Sequence, residues 1–84
     1  MVDPTSEAER VARKVHKVEI IRGGVRWVAV ESMGKVTFSK DGTVVGSARW
    51  REDQFIDNTA LLPDAIDQEL AEKIKAVLDA DYFD

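Results

Sequence analysis

Few residues of this chain are of types that carry catalytic chemistry, and their spacing matches no catalytic motif. His16 is the single histidine and there is no cysteine, so a nucleophile would have to be a serine served by that one imidazole. Ser32, Ser39 and Ser47 stand in no sequence or strand relation to His16 that forms a Ser–His–acid triad. We therefore predict that the chain is not an enzyme, has no small-molecule substrate, and holds His16 as a boundary histidine without a partner.

Metal and nucleotide motifs are equally incomplete. Asp79, Asp81 and Asp84 have part of the spacing of a calcium loop, but the glycine and the closing glutamate are missing. The segment 22–24 spells the Arg-Gly-Gly unit of RNA-binding segments, yet a single copy between two apolar runs predicts a hairpin turn. A glycine-rich loop that cradles phosphate is also absent. The sequence therefore predicts no metal and no cofactor.

Length and composition predict one small domain that spans residues 1–84, near the lower size at which a single core is stable. The lack of cysteine is typical of a reducing compartment. The polar amino terminus lacks the apolar region of a signal peptide. No apolar run approaches the roughly 20 residues that span a bilayer. We predict a cytoplasmic protein with no membrane partner.

Charge is distributed unevenly along the chain, whose net charge is -4. Residues 15–51 contain seven bases and three acids, a net charge of +4. Residues 52–84 contain ten acids and two bases, a net charge of -8, and residues 1–14 are neutral. The overall negative charge opposes generic attraction to nucleic acid, while the two halves predict two surfaces of opposite sign.

Apolar alternation between residues 15 and 51 predicts four antiparallel strands separated by three tight turns. The turns at 22–25 and 32–35 have two central residues with glycine at the second position, and Gly42 closes a predicted three-residue loop. These turns set the strand register. The predicted pairs are Val18 with Ala29, Ile20 with Trp27, Ala29 with Phe38, Glu31 with Val36, Phe38 with Val44, and Val36 with Gly46.

The three registers agree on which residues share a face of the sheet. The predicted core face contains Val18, Ile20, Val25, Trp27, Ala29, Val36, Phe38, Val44, Ala48 and Trp50. The opposite, outer face contains Lys17, Glu19, Ile21, Arg26, Val28, Val30, Lys35, Thr37, Ser39, Val45, Ser47 and Arg49. Its valines are unusual, since a purely solvated face more often carries threonine, glutamate and lysine.

Helical periodicity flanks the sheet. At the amino end, Asp3-Pro4 is typical of a helix start. A stripe of small apolar side chains follows at Ala8, Val11, Ala12 and Val15. At the carboxyl end, Pro63-Asp64 predicts the start of a longer helix. Its apolar stripe contains Ile66, Leu70, Ile74, Val77 and Leu78.

Two further segments complete the prediction. Residues 52–62 are too apolar for a free linker and predict an ordered crossover over the core face. Residues 79–84 place two aromatics between carboxylates, which fits either a last anchor or an exposed docking tail. The predicted fold class is α+β: an N-terminal helix, a four-stranded antiparallel meander and a C-terminal amphipathic helix, with both helices packed on one sheet face.

The outer face combines an apolar strip with flanking cations, the composition of an interface centre with a charged rim. We predict an accessory or regulatory module that binds another protein, or a second copy of itself, through this face. The first strand (16–22) and the fourth (44–50), as predicted sheet edges, offer a second route to strand pairing. The residues predicted to contact the partner are Arg26, Val28, Val30, Lys35 and Arg49.

Two alternatives remain. The basic face suits single-stranded nucleic acid, but Trp27, Phe38 and Trp50 fall on the core face and leave no ring for base stacking. The acidic C-terminal helix suits a basic partner, as in inhibitors that mimic DNA. Both are ranked below protein binding.

Overall fold

The computed structural model describes residues 15–83, which form a five-stranded antiparallel sheet and one helix. The strands lie in the order β1-β2-β3-β4-β5 and curl into a half-barrel. The α+β class and the C-terminal helix are thus confirmed, whereas the predicted N-terminal helix falls on residues outside the described part of the chain, except for Val15, which lies in a strand. The elements are β1 (Val15–Arg22), β2 (Val25–Ser32), β3 (Lys35–Lys40), β4 (Thr43–Arg51), β5 (Gln54–Ile56) and α1 (Asp64–Phe83).

The first two hairpins form as predicted. Gly23 and Gly24 have φ of 58° and 78°, and Met33 and Gly34 have 54° and 81°, the conformation of two-residue turns that match the strand twist. The resulting registers pair Val18 with Ala29, Ile20 with Trp27, Ala29 with Phe38, and Glu31 with Val36. All four predicted pairs are confirmed.

The register of the third hairpin was predicted wrongly. Asp41 and Gly42 both have positive φ and form a two-residue turn, which replaces the predicted three-residue loop. A bulge between Phe38 and Ser39 then shifts the pairing along β4. Phe38 therefore pairs with Gly46 and Val36 with Ala48, which replace the predicted pairs with Val44 and Gly46.

The two-residue turn also moves Val44 out of the predicted core. Val44 pairs with Ser39, an outer-face residue, and is 64% exposed. The other predicted core residues of the sheet are buried, or are partly buried against the core. The bulge returns the residues of β4 that follow it, Ala48 and Trp50 among them, to the core face. The change of register in β4 therefore removes a single residue, Val44, from the predicted core.

A fifth strand replaces part of the predicted crossover. Glu52 and Asp53 have φ of 53° and 62° and make another two-residue turn, without glycine. β5 then pairs with the end of β4, Trp50 opposite Phe55. Further along, Thr59 donates its backbone N–H to the Ser47 carbonyl at 2.9 Å. The fourth strand is therefore not the free edge that the sequence predicted.

The turn at Glu52-Asp53 is strained, because L-residues with a side chain disfavour positive φ by roughly 1–2 kcal/mol each. We expect the E52N/D53G variant to raise the free energy of unfolding by about 1 kcal/mol, measured by urea denaturation. The change sacrifices an ion pair of Asp53 with Lys75 at 3.7 Å, which is exposed and contributes little. An unchanged or lower unfolding free energy would contradict this turn assignment.

Helix α1 packs on the core face through the predicted stripe. Ile66, Leu70 and Ile74 are buried, and Val77 and Leu78 pack partly buried beside them. Phe55 adds an unpredicted aromatic contact, with its ring edge-on to Phe38 at a centroid distance of 4.9 Å and tilted against Trp50 at 5.2 Å. The helix continues through residue 83, so the segment from residue 79 is helical rather than a separate tail. No helix in residues 15–83 is long and apolar enough to cross a membrane.

Candidate binding surface

The outer face of the sheet is organised in cross-strand rows. Strand pairing aligns residues that point to the same side, so each row crosses several strands. One row runs Lys17–Val30–Thr37–Ser47, a second runs Glu19–Val28–Ser39–Val44, and a third runs Ser32–Lys35–Arg49–Ile56. Valines therefore lie near the middle of the face, with cations on both sides of them.

A shallow depression of about 570 Å³ surrounds the two central valines. Val28 and Val30 are half-buried between their neighbours in the sheet. The depression is lined by residues of the sheet and its turns: Lys17, Arg26, Val28, Val30, Ser39, Asp41 and Gly42. The depression therefore has an apolar floor and a polar, partly cationic wall.

Arg26 is held over this depression by two contacts. Its guanidinium donates to Glu19 on the neighbouring strand at 2.6 Å, and its backbone N–H donates to the Asp41 carboxylate at 3.0 Å. The ion pair is solvent-exposed on both sides and therefore contributes little stability. Its main effect is to orient the arginine.

Lys35 and Arg49 form a second cationic group on the same face. They are direct cross-strand partners and both are exposed. In the part of the chain that the structure describes, neither has an ion-pair partner. A depression of about 480 Å³ lies beside them, lined by Met33, Gly34, Lys35, Ser47, Ala48, Arg49 and Asp57.

The five predicted contact residues thus share one face in two groups. Arg26, Val28 and Val30 surround the first depression, while Lys35 and Arg49 line the second. Their role in binding stays a prediction.

Aromatic side chains lie on the other side of the sheet. Trp27 and Phe38 are buried in the core, and Trp50 packs partly buried against it. The ammonium of Lys40 lies 5.3 Å from the centre of the Trp27 ring, a cation–π contact. Among residues 15–81, whose side chains are described, the outer face has no ring on which a base could stack.

His16 has the partners that the sequence analysis did not find. It is 7% exposed, and its Nδ1 lies 2.7 Å from a carboxylate oxygen of Glu31, also buried. Its Nε2 contacts the Asp81 carboxylate near the end of α1. The second oxygen of Glu31 accepts the Gly34 backbone N–H at 2.9 Å. The first hairpin register, extended to its end, already places His16 opposite Glu31; Asp81 arrives only through helix docking.

The imidazole of His16 is the centre of this cluster. Both ring nitrogens are engaged, Nδ1 with Glu31 and Nε2 with Asp81. No group of three His, Cys, Asp or Glu side chains among the described residues is arranged to hold a metal. The cluster therefore ties α1 to the first hairpin.

A second polar contact ties the other end of the helix to β1. The Arg22 guanidinium donates to Glu69, twelve residues before Asp81 in α1. Twelve helical residues rise about 18 Å. The six residue steps along β1 from His16 to Arg22 span about 20 Å. The helix therefore lies antiparallel along β1, with one polar contact at each end.

We expect His16→Ala to lower the free energy of unfolding by about 2 kcal/mol, measured by urea denaturation. The substitution leaves Glu31 buried with only the Gly34 N–H, and hydrogen bonds to charged groups are worth about 1.5–3 kcal/mol. Arg22→Ala is the matched control, since it breaks the exposed contact with Glu69 and is expected to cost under about 1 kcal/mol. Equal losses in the two variants would show that the buried cluster has no special role.

Three comparisons with known proteins give no match: no family model, no curated protein and no solved structure is significantly similar to this chain.

Proposed function

We propose that this chain is a non-enzymatic accessory module that binds a protein partner, or a second copy of itself, through the outer sheet face. The observation that supports this most is the valine-floored depression with Lys17 and Arg26 on its wall. Interface centres combine apolar contact with arginine in this way, and the surrounding polar rim excludes water.

The position of the aromatic side chains favours a protein partner over single-stranded nucleic acid. Proteins that bind single-stranded nucleic acid without sequence preference stack the bases on aromatic side chains, and this stacking contributes about 1–3 kcal/mol per base. Here Trp27, Phe38 and Trp50 pack with the core, on the side of α1. The outer face offers valines and charge instead, which suit side-chain contacts with a protein.

Mimicry of DNA by the acidic helix is the weaker alternative. Two of its carboxylates are already engaged with β1, Glu69 with Arg22 and Asp81 with His16. Lys73 and Lys75 are exposed on the same helix and interrupt the negative charge. The outer sheet face is therefore the preferred surface.

Capture from a lysate of source cells, quantified by mass spectrometry, tests the proposal with three baits: the wild type, a face variant R26S/V30T and a matched helix variant K75S/A76T. Lys75 and Ala76 are exposed on α1, away from the outer face. The proposal expects a protein retained by the wild type and the helix variant, and reduced about tenfold by the face variant, since hot-spot losses exceed about 1 kcal/mol. Equal retention by all three baits, or loss only with K75S/A76T, contradicts the proposal.

Binding of a second copy of the chain is tested separately. Light scattering over a range of concentrations should show an average mass that rises above the 9.4 kDa monomer for the wild type and not for R26S/V30T. A monomer at every concentration removes self-association and leaves a separate protein as the partner.

Titration with a labelled single strand at low and high salt decides the nucleic-acid alternative. Phosphate contacts release counterions, so affinity for a strand falls steeply as salt rises. Strand binding with that salt dependence, lost in R26S/V30T, would replace the protein proposal.

A further inference from the structure

We propose that Lys35 and Arg49 form an anion clamp that binds a carboxylate in an acidic, extended segment of the protein partner. The inference rests on the proposed function, because it names the chemistry of the partner that the outer face takes. It concerns the second depression on that face.

The first support is the placement of two like charges opposite each other. Lys35 and Arg49 are direct partners in the β3–β4 pairing, and like charges in that arrangement repel. Two other arginines on the edge hairpin have acidic partners, Arg26 with Glu19 and Arg22 with Glu69. Within residues 15–83, Lys35 and Arg49 have none. A bound anion would relieve the repulsion.

The second support is the lining of the depression beside them. The guanidinium of Arg49 can grip both oxygens of a carboxylate, while Lys35 adds a compact positive charge. Asp57 lines the same depression, so the three charges sum to +1. That balance suits a singly charged carboxylate, whereas a phosphate dianion or a polyphosphate backbone would be repelled by Asp57.

The third support is the distance from the clamp to the apolar floor. Thr37 lies two residues along β3 from Lys35 and is the partner of Val30. At about 3.3 Å per residue, the clamp is about 7 Å along the strands from the Val30 row and about 13 Å from the Val28 row. An extended partner segment spans these distances in two to four residues. Because alternate residues of an extended chain point to the same side, the expected segment has an acidic residue two or four positions from an apolar one.

Fluorescence anisotropy with synthetic peptides tests the clamp. The probes are a labelled peptide of repeated glutamate-serine-valine-serine, which places glutamate and valine two positions apart on one side of an extended chain, the same peptide with glutamine for every glutamate, and a labelled oligothymidylate. The proteins are the wild type, K35Q/R49Q and the matched helix variant K73Q/K75Q, which also removes two exposed positive charges.

The clamp predicts that the wild type binds the glutamate peptide about tenfold more tightly than the glutamine peptide. It also predicts that K35Q/R49Q loses about that factor and K73Q/K75Q does not. In the absence of peptide, Lys35→Gln should raise the urea midpoint, because it removes the cross-strand repulsion. A lower midpoint would overturn the premise of an unneutralised pair.

Three results overturn the clamp: no binding of the glutamate peptide, equal binding of the two peptides, or undiminished binding by K35Q/R49Q. Tighter binding of oligothymidylate than of peptide also overturns it and assigns the face to nucleic acid. The capture experiment judges the wider proposal separately. A partner lost with R26S/V30T but retained by K35Q/R49Q leaves face binding standing and removes only the clamp.

Discussion

Leu70→Asp is expected to leave the chain unfolded without denaturant. Leu70 is fully buried at the centre of the α1 stripe, with Ile66 and Ile74 one turn away on either side. Truncating such a leucine to alanine already costs about 2–5 kcal/mol. A carboxylate at that place would be buried in the apolar cluster, which adds several kcal/mol of desolvation. A domain of this size has a free energy of unfolding of the order of 5–10 kcal/mol. The combined loss is therefore close to the entire free energy of unfolding.

The matched control is Leu61→Asp, the same substitution at a leucine that is 96% exposed. We expect it to change the free energy of unfolding by less than about 0.5 kcal/mol. Circular dichroism and urea denaturation measure both variants. A folded Leu70→Asp protein, with a cooperative urea transition like that of Leu61→Asp, would mean that α1 does not cover the sheet through this stripe.

Gly46→Ala is expected to destabilise the fold by about 3 kcal/mol, at the upper end of ordinary overpacking. A Cβ at Gly46 would lie 2.5 Å from the backbone nitrogen of Ala60 and 2.6 Å from its Cα. The colliding atoms are backbone, and they cannot rotate away as a side chain does. Ala60 is pinned as well, since its N–H donates to Asn58 at 2.8 Å. The segment after β5 would have to move off β4.

Two further variants test whether the backbone of Ala60 causes the loss of stability in Gly46→Ala. Ala60→Gly in the Gly46→Ala background should recover little, because it removes only the third contact, a Cβ at 2.8 Å, and keeps the two backbone clashes. Ser47→Ala, one residue along, should be nearly neutral, because the contacts that Ser47 makes with Thr59 use its backbone N–H and carbonyl. Urea denaturation of all three decides the matter. Full recovery by Ala60→Gly would place the clash in the side chain alone.

The sequence predicted those parts of the fold that glycine and alternation determine. Gly24 and Gly34 mark the second positions of the first two hairpin turns, and the registers that follow from them are right. The turn at Glu52-Asp53 contains no glycine, so the sequence has no local pattern that indicates a hairpin there. For this reason β5 was not predicted. The bulge beside Phe38 was missed for a similar reason, because no local signal in β4 marks it and both pairings place Ala48 and Trp50 on the core face.

The polar cluster at His16 shows a second limit of sequence reasoning. The contact with Glu31 follows from the first register and was within reach of the sequence. The contact with Asp81 joins residues far apart in the chain, and it depends on where α1 lies along β1. The five predicted contact residues lie on one side of the sheet, but their division into two depressions depends on the third register, which was predicted wrongly.

The claim that the outer face is the binding surface is tested most directly by valine-methyl NMR of the chain with its captured partner. Valines occur on both faces, so the spectrum contains its own control: Val28 and Val30 lie on the outer face, and Val18 and Val36 in the core. The account predicts that the methyl signals of Val28 and Val30 shift or broaden as partner is added, while those of Val18 and Val36 stay in place. Shifts confined to Val77 on α1, with Val28 and Val30 unmoved, would contradict it.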